Sequence, residues 1–144
     1  MEIVDVGREL IAQIFEIEKA TFSLPWSMDA LYSQTDTDRN IFLAATENGE
    51  VLGYVGLMFV LDEGYISNVA VSEKHRRRHV ADMLITSLEE RARSKGLAFM
   101  SLEVRASNAS ARALYQKHGY EDVGVRKNYY EKTCEDAVIS TKRF

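Results

Sequence analysis

A short basic segment separates two regions of different hydrophobic periodicity, and this change restricts the folds open to the chain. YISNVAV, residues 65–71, has the pattern of a strand, and KHRRRH, residues 74–79, then places four basic side chains and two histidines in six positions. The apolar residues that follow lie on one helical stripe, and Gly96 stands where a helix C-terminus favours glycine. The stripe consists of Val80, Met83, Leu84, Leu88 and Ala92. The sequence therefore predicts a strand, a tight basic turn and a helix in succession.

Such a junction is suited to binding an anion. The first N–H groups of a helix have no partners within the helix, and the helix dipole adds partial positive charge beside them. Neighbouring arginines can hold phosphate oxygens. The whole chain has a net charge of −4, so the positive charge is local and a general nucleic-acid surface is disfavoured. For this stretch alone, a solvated run of charge remains the alternative to a phosphate or pyrophosphate site.

The other segments alternate between strand and helix patterns. Asn48-Gly49 predicts a hairpin between two strands, and Asp62-Glu63-Gly64 is predicted to form the next turn. Further strands are predicted at 2–6, 65–71, 98–104, 120–130 and 136–144, and further helices at 8–22, within 24–34 with Ser27 as N-cap, and at 108–120 with Asn108 at its start. A strand meander followed by strand–helix–strand–helix–strand indicates an α/β domain with a mixed sheet.

Length and composition fit one ordinary globular domain. The 144 residues can bury a hydrophobic core, so residues 1–144 are predicted to be a single domain. No apolar run reaches the roughly 18 residues that cross a bilayer, and the N-terminus MEIVDVGREL lacks the layout of a signal peptide. Cys134 is the only cysteine and lacks metal-ligand spacing around it. We therefore expect a cytoplasmic protein with no membrane, nucleic-acid or metal partner.

Two motifs resemble the GCN5-related N-acetyltransferase (GNAT) family. RRRHVA, residues 76–81, resembles the family's Gln/Arg-x-x-Gly-x-Gly/Ala loop, which precedes a helix and binds the pyrophosphate of acetyl-coenzyme A. NASARALYQKHGY, residues 108–120, resembles the Asn-x-x-Ala-x-x-Leu-Tyr-x-x-x-Gly-Phe/Tyr signature across thirteen positions. The resemblance implies acetyl-coenzyme A as co-substrate. It also implies an α/β fold of the α+β type, in which helices flank a central mixed, mostly antiparallel sheet.

Histidine stands at position 79, where the family usually has glycine. A β-carbon limits how closely the backbone can approach an anion, and it penalises a positive φ. Two outcomes are open: the loop keeps a conformation that histidine tolerates, or the affinity for the cofactor is lower than usual. We favour the first, because the flanking arginines Arg76, Arg77 and Arg78 are retained.

Longer segments resemble the RimI branch of this family, between Thr21 and Ser140. They are TFSLPWSMDAL, ISNVAV, SLEVRASNASARALYQKHGY, RKNYY and EDAVIS. Enzymes of this branch acetylate the N-terminal alanine of a small-subunit ribosomal protein, and the resemblance implies the same reaction, by direct attack, on a basic tail that suits an acidic chain. It also implies a peptide groove beside the cofactor, with Trp26, Tyr129 and Tyr130 as candidate walls. Simple packing explains Trp26 equally well.

Glu103 is the candidate general base. A protein α-amine has a reference pKa of ~7.7–8.0, so it must lose a proton before it attacks the acetyl carbonyl, and a nearby carboxylate can accept that proton. Strand alternation in AFMSLEVR puts Glu103 on the face opposite the apolar Leu102 and Val104. From this pattern alone an exposed surface glutamate is the simpler interpretation. The resemblance is what assigns the base to this residue.

The resemblance also assigns the remaining site residues. Tyr115 would protonate the departing coenzyme A thiolate, since a phenol has a reference pKa of ~10; a core tyrosine is the alternative. A backbone N–H within 69–71 would donate to the developing oxyanion, and Asn108 would bind the cofactor, cap its helix, or do both. The predicted cofactor-binding residues are Val69, Ala70, Val71, Arg76, Arg77, Arg78, His79, Val80, Ala81 and Asn108.

Two other functions stay open on the sequence alone. The same machinery could acetylate a lysine side chain or a small amine, and a chain without turnover could serve as a sensor that binds acyl-coenzyme A. The presence of both Glu103 and Tyr115 argues against the sensor. His75 and His118 are expected to be surface residues without a catalytic role.

Overall fold

The structure, a computed structural model, describes residues 1–130 and 135–144, so Cys134 lies outside the described residues. The strands are β1 Glu2–Asp5, β2 Asn40–Glu47, β3 Glu50–Val60, β4 Glu63–Val71, β5 Phe99–Arg105, β6 Glu121–Tyr130 and β7 Glu135–Arg143. The helices are α1 Ile11–Thr21, α2 Met28–Thr35, α3 Val80–Ser94 and α4 Ala109–Lys117, with short 3-10 turns at Arg8–Leu10 and Glu73–His75. Among the described residues, no helix combines the length and apolar character needed to cross a membrane.

The strands form one seven-stranded sheet in the order β1-β2-β3-β4-β5-β7-β6. β4 and β5 run parallel, and the other neighbouring pairs in the described chain are antiparallel. The predicted mixed, mostly antiparallel sheet flanked by helices is therefore confirmed. The predicted hairpin joins β2 and β3, where Asn48 and Gly49 both have positive φ, as a two-residue turn of this kind requires.

The turn predicted at Asp62-Glu63-Gly64 is wrong by one to two residues. Leu61 and Asp62 form the turn, and β4 already begins at Glu63. Gly64 is extended because it pairs with Phe59 of β3 and with Met100 of β5. A β-carbon on Gly64 would lie 3.0 Å from Leu97 Cδ1, so this glycine permits close packing rather than a turn.

Helices cover the two faces of the sheet differently. α3 packs on one face, in a core that continues along β5 and includes Leu84, Leu88 and Met100. α1 and α2 pack on the other face against β2, β3 and β4, with Ile14 and Leu31 fully buried. On that second face the surface formed by β5, β7 and β6 lies beyond the two helices. This uncovered part of the sheet is where a site can form.

Two histidines are less exposed than the sequence suggested. His75 is buried in the 3-10 turn that follows β4, with 9% of its surface exposed. The side chain of His118 is 14% exposed, because its Nε2 lies 2.8 Å from Asp82 Oδ1 on α3. The expectation of a surface position is therefore wrong for His75, whereas His118 is partly buried against α3.

Candidate functional site

The parallel pairing of β4 with β5 ends early. It covers the three pairs from Glu63↔Phe99 to Tyr65↔Ser101, after which no further pairing joins these two strands in the described chain. β4 continues along β3 to Val71, and β5 continues along β7 to Arg105. The C-terminal halves of β4 and β5 therefore separate, and we call the gap between them the wedge.

A bulge in β4 lies where the wedge opens. Asn68 pairs with Gly56 and Ile66 pairs with Leu57, which leaves Ser67 as the extra residue of β4. A bulge of this kind bends its strand and increases the local twist. The bend turns β4 away from its parallel neighbour at the position where their pairing stops.

A cavity of about 400 Å³ opens beside the wedge. Its walls come from β4, β5, β6 and β7, and the lining residues are Tyr65, Ile66, Ser67, Ser101, Leu102, Glu103, Arg126, Tyr129, Tyr130 and Ile139. It therefore brings together the candidate base and two of the three candidate walls. Arg126, Tyr65 and Ser67 were not predicted, although Arg126 lies in the RKNYY segment.

Glu103 lies on the face of β5 opposite the α3 core. Leu102 and Val104 are buried in that core, as the strand alternation predicted. Glu103 Oε1 is 2.7 Å from Arg126 Nε on β6. A hydrogen bond with the Glu103 carboxylate, together with its charge, raises the pKa of Tyr129. The carboxylate therefore meets one guanidinium and one phenol at the cavity wall.

Tyr115 lies on the other face of the sheet. It belongs to the core beneath α3 and packs edge-to-face on Tyr120, with ring centroids 5.6 Å apart. Burial raises the pKa of Tyr115 to about 12. The phenol therefore keeps its proton at neutral pH and can serve as a proton donor. Glu103 and Tyr115 therefore lie on opposite faces of the sheet.

The basic turn before α3 has the backbone of an anion site. Arg77 and His79 have left-handed φ values of 65° and 60°. Helix α3 starts at Val80, and its N-cap His79 makes no side-chain capping bond within the described residues. The first helical N–H groups are therefore left for a ligand, which successive amides in such turns bind well. His79 keeps the left-handed conformation, which histidine adopts more readily than most residues.

The side chains of the turn take different directions. Arg76 Nε donates to Val71 O at 3.3 Å, and Arg78 Nη2 lies 3.0 Å from Glu47 Oε2 on β2. Val80 is buried in the α3 core, so its backbone N–H is the part that can meet a ligand. Arg77 is exposed. The uncapped amides and the cationic side chains fit a diphosphate group.

The end of β4 offers backbone donors to the wedge. Ser72 N–H donates to Leu52 O of β3 at 2.8 Å. Because N–H direction alternates along a strand, Ala70 also turns its N–H toward β3. Val69 and Val71 turn theirs toward the wedge. Of the three residues predicted to supply a backbone donor, strand geometry therefore directs the N–H groups of two, Val69 and Val71, toward the wedge.

The predicted residues Asn108 and Trp26 do not line the cavity. Asn108 Oδ1 accepts the Ala111 N–H at 3.1 Å, which confirms the predicted N-cap of α4. Arg105 stacks over the ring of Tyr130 at 4.0 Å from its centroid. Trp26 is partly buried against the α1–α2 core and is not among the cavity's lining residues, so the structure shows its packing role.

A buried carboxylate ties the segment before α2 to the sheet. Glu18 of α1 is 1% exposed, and its carboxylate accepts the Trp26 N–H at 2.9 Å and the Asn68 side-chain amide at 3.3 Å. The hydroxyl of Tyr54 on β3 bonds to the same carboxylate. Since Asn68 adjoins the Ser67 bulge, Glu18 connects Trp26 to the strand that borders the wedge. No sequence motif indicated this network.

Comparison with known proteins agrees with this geometry. The model of the acetyltransferase (GNAT) family matches residues 11–120. The [ribosomal protein bS18]-alanine N-acetyltransferase of Escherichia coli strain K12 is 34% identical over 127 residues, covering 87% of this chain and 85% of that protein. The protein of the same name from Haemophilus influenzae is 35% identical over 130 residues, covering 88% of each. The crystal structure of the E. coli ribosomal-protein-S18-alanine N-acetyltransferase superposes with a TM-score of 0.91 at 30% identity, covering 99% and 92% of the two chains.

The wedge, the uncapped turn and the family match together define an N-acetyltransferase. The chain belongs to the GNAT family, with the RimI enzymes among its relatives. Members of this family use acetyl-coenzyme A as acetyl donor, and so does this chain. No cluster of three or more His, Cys, Asp or Glu side chains suited to a metal occurs in residues 1–130 and 135–144.

Glu18→Gln should lower the free energy of unfolding by about 1–3 kcal/mol, because the new NH2 group would leave a buried donor unsatisfied among Trp26, Asn68 and Tyr54. Urea unfolding followed by the fluorescence of Trp26, the single tryptophan, measures the loss. Glu16→Gln is the matched control on the exposed side of the same helix and should cost less than about 0.5 kcal/mol. Equal losses in the two variants would contradict a structural role for the Glu18 network.

Proposed function

We propose that this acetyltransferase acetylates the N-terminal alanine of ribosomal protein bS18. The observation that carries the proposal is the wedge, which lets an amine on the Glu103 face meet a donor held on the Tyr115 face. Support for the substrate comes from the relatives, whose names specify bS18 alanine and which match along most of their length. A ribosomal substrate would place the reaction in the cytoplasm.

Glu103 would act as the general base. The α-amine arrives mostly protonated at neutral pH, and the carboxylate accepts its proton directly or through a water molecule. In the free protein Arg126 stands beside this carboxylate at 2.7 Å. The incoming ammonium would replace Arg126 as the partner of Glu103. The deprotonated amine then attacks directly, with no covalent enzyme intermediate.

Tyr115 would act as the general acid. When bound, acetyl-coenzyme A supplies an activated thioester from which the acetyl group is transferred. Tyr115 donates its phenolic proton to the departing sulfur, and burial keeps that proton in place until it is needed. The phenol is restored when solvent returns a proton after transfer.

Backbone and basic groups would hold the donor. Residues 76–81 would bind the pyrophosphate through their amides and through Arg76 and Arg77, and Asn108 would contact the cofactor arm. The N–H of Val69 or Val71 would donate to the carbonyl oxygen, where a preorganised amide needs no rearrangement during the reaction. Strand alternation makes these two valines better candidates for this role than Ala70.

Tyr129 and Tyr130 would form the walls of the acceptor groove, with Trp26 contributing through the position of its segment. A basic acceptor tail is supported by the net charge of −4. Arg105 and Arg126 place positive charge close to the cavity, where they would repel basic residues. The attraction between the acidic protein and a basic tail would therefore act beyond the first residues of the peptide.

Release of free coenzyme A thiol with two peptides tests the proposal. One peptide begins with a free alanine and continues with the bS18 sequence; the other has a blocked α-amine and an added internal lysine. Turnover on the first alone supports the proposal. Turnover on the second would shift the function to lysine or small-amine transfer, and binding of coenzyme A without turnover on either would indicate a sensor.

Glu103→Gln and Tyr115→Phe should each lower kcat/KM for the alanine peptide about 100-fold or more, because each removes a group that transfers a proton. Glu121→Gln on exposed β6 and Tyr120→Phe beside Tyr115 are the matched controls and should remain within about twofold of the parent. Steady-state kinetics with the alanine peptide measures kcat/KM for each variant. If Tyr120→Phe loses as much rate as Tyr115→Phe, the assignment of the acid is wrong.

Deprotonation of Tyr115 should not lower kcat between about pH 7.5 and pH 9.5, since the pKa of Tyr115 lies above the ordinary value of ~10. Burial disfavours the phenolate, so Tyr115 stays protonated as pH rises through this window. A pH profile of kcat for the parent and for Tyr115→Phe measures this. A descending limb of kcat centred at about pH 9 that disappears in Tyr115→Phe would contradict this prediction.

A further inference from the structure

One carboxylate joins the basic turn to the end of the helix that carries Tyr115. Asp82 lies in the first turn of α3, three residues after His79. Its Oδ2 is 3.1 Å from His79 Nδ1. Its Oδ1 is 2.8 Å from His118 Nε2 and 3.0 Å from Lys117 Nζ, both at the C-terminal end of α4. Asp82 therefore bridges two segments assigned to the cofactor side of the wedge.

Asp82 is well placed to be a rigid partner. Its side chain is 23% exposed, whereas that of His79 is 78% exposed. Burial alone would raise the pKa of Asp82, but hydrogen bonds from His118, Lys117 and His79 lower it to about 2. The carboxylate therefore stays ionised and anchored on α4, and His79 is the exposed member of the pair.

A partner helps His79 to keep its backbone conformation. Its φ of 60° is left-handed, a conformation that brings a β-carbon close to the following carbonyl oxygen. Glycine, which the family pattern has at this position, would adopt it without that clash. A histidine that leaves this conformation would also redirect the N–H groups at the start of α3.

We propose that Asp82 is a positioning residue for cofactor binding, which holds His79 in the left-handed conformation and ties the turn to α4. The inference rests on the proposed assignment of residues 76–81 to the pyrophosphate. It also answers how this chain accommodates histidine in place of glycine. Asp82 stabilises at His79 the positive φ that glycine would adopt freely because it lacks a β-carbon.

A double-mutant cycle isolates the His79–Asp82 contact. Coenzyme A binding is measured by isothermal titration calorimetry for the parent, Asp82→Asn, His79→Gly and the double variant. In the parent background Asp82→Asn should raise the Kd about threefold or more, because a smaller fraction of molecules then has the binding-competent turn. In the His79→Gly background the same change should raise it less than about 1.5-fold, because glycine needs no partner to keep a positive φ.

Kinetics separates positioning from loss of folding. Asp82→Asn should raise KM for acetyl-coenzyme A about threefold or more while KM for the acceptor peptide stays within about twofold, since only the cofactor turn is released. Glu90→Gln, at an exposed position of α3, removes the same charge away from the turn and should leave both values unchanged. A thermal melt of each variant confirms that the compared proteins are folded.

Two results would overturn the inference, and they are distinguishable. If Arg77→Asn, which removes a guanidinium while asparagine tolerates a positive φ, leaves the Kd unchanged, the turn does not bind the cofactor and the assignment itself fails. If Arg77→Asn weakens binding but Asp82→Asn acts equally in both backgrounds or has no effect, the cofactor site stands and Asp82 does not position His79.

Discussion

The early end of the pairing between β4 and β5 is the constraint on which the site depends. Three residue pairs hold the two strands together, and the bulge at Ser67 then bends β4 away. Each strand keeps its outer neighbour, so the sheet remains continuous while its centre opens. The opening connects two faces that carry different chemistry. One face presents Glu103 at the cavity wall, and the other carries the buried Tyr115.

The separation of the two faces explains why the candidate groups have different surroundings. In its proposed role Glu103 accepts a proton from an incoming amine, and it lies among exposed polar groups, with Arg126 Nε 2.7 Å from its carboxylate. In its proposed role Tyr115 keeps its proton until the thiolate departs, and burial raises the pKa of this tyrosine to about 12. A single pocket with one environment could not give both groups these properties. The sheet separates the two groups, and in the proposed mechanism substrate and cofactor meet through the wedge.

Local signals in the sequence predicted local structure well. Asn48-Gly49, Ser27 and Asn108 act through hydrogen bonds and φ values within a few residues, and each is confirmed as a turn or cap. Period-two alternation placed Glu103 on the correct face of β5. The prediction of a turn at Gly64 was wrong because the sequence alone does not distinguish a glycine that permits close packing from one that permits a turn. The Glu18 network, the Arg126 contact and the wedge depend on residues far apart in the chain, so no short motif reveals them.

The most direct test of the account is a crystal structure of this protein with a conjugate in which coenzyme A is joined through an acetyl bridge to the α-amine of a bS18 N-terminal peptide. The account predicts that the bridge passes between β4 and β5. Coenzyme A should then lie along the start of α3, and the alanine should lie on the Glu103 face beside Tyr129 and Tyr130. A conjugate bound entirely on one face of the sheet, with the wedge closed or empty, would contradict the account.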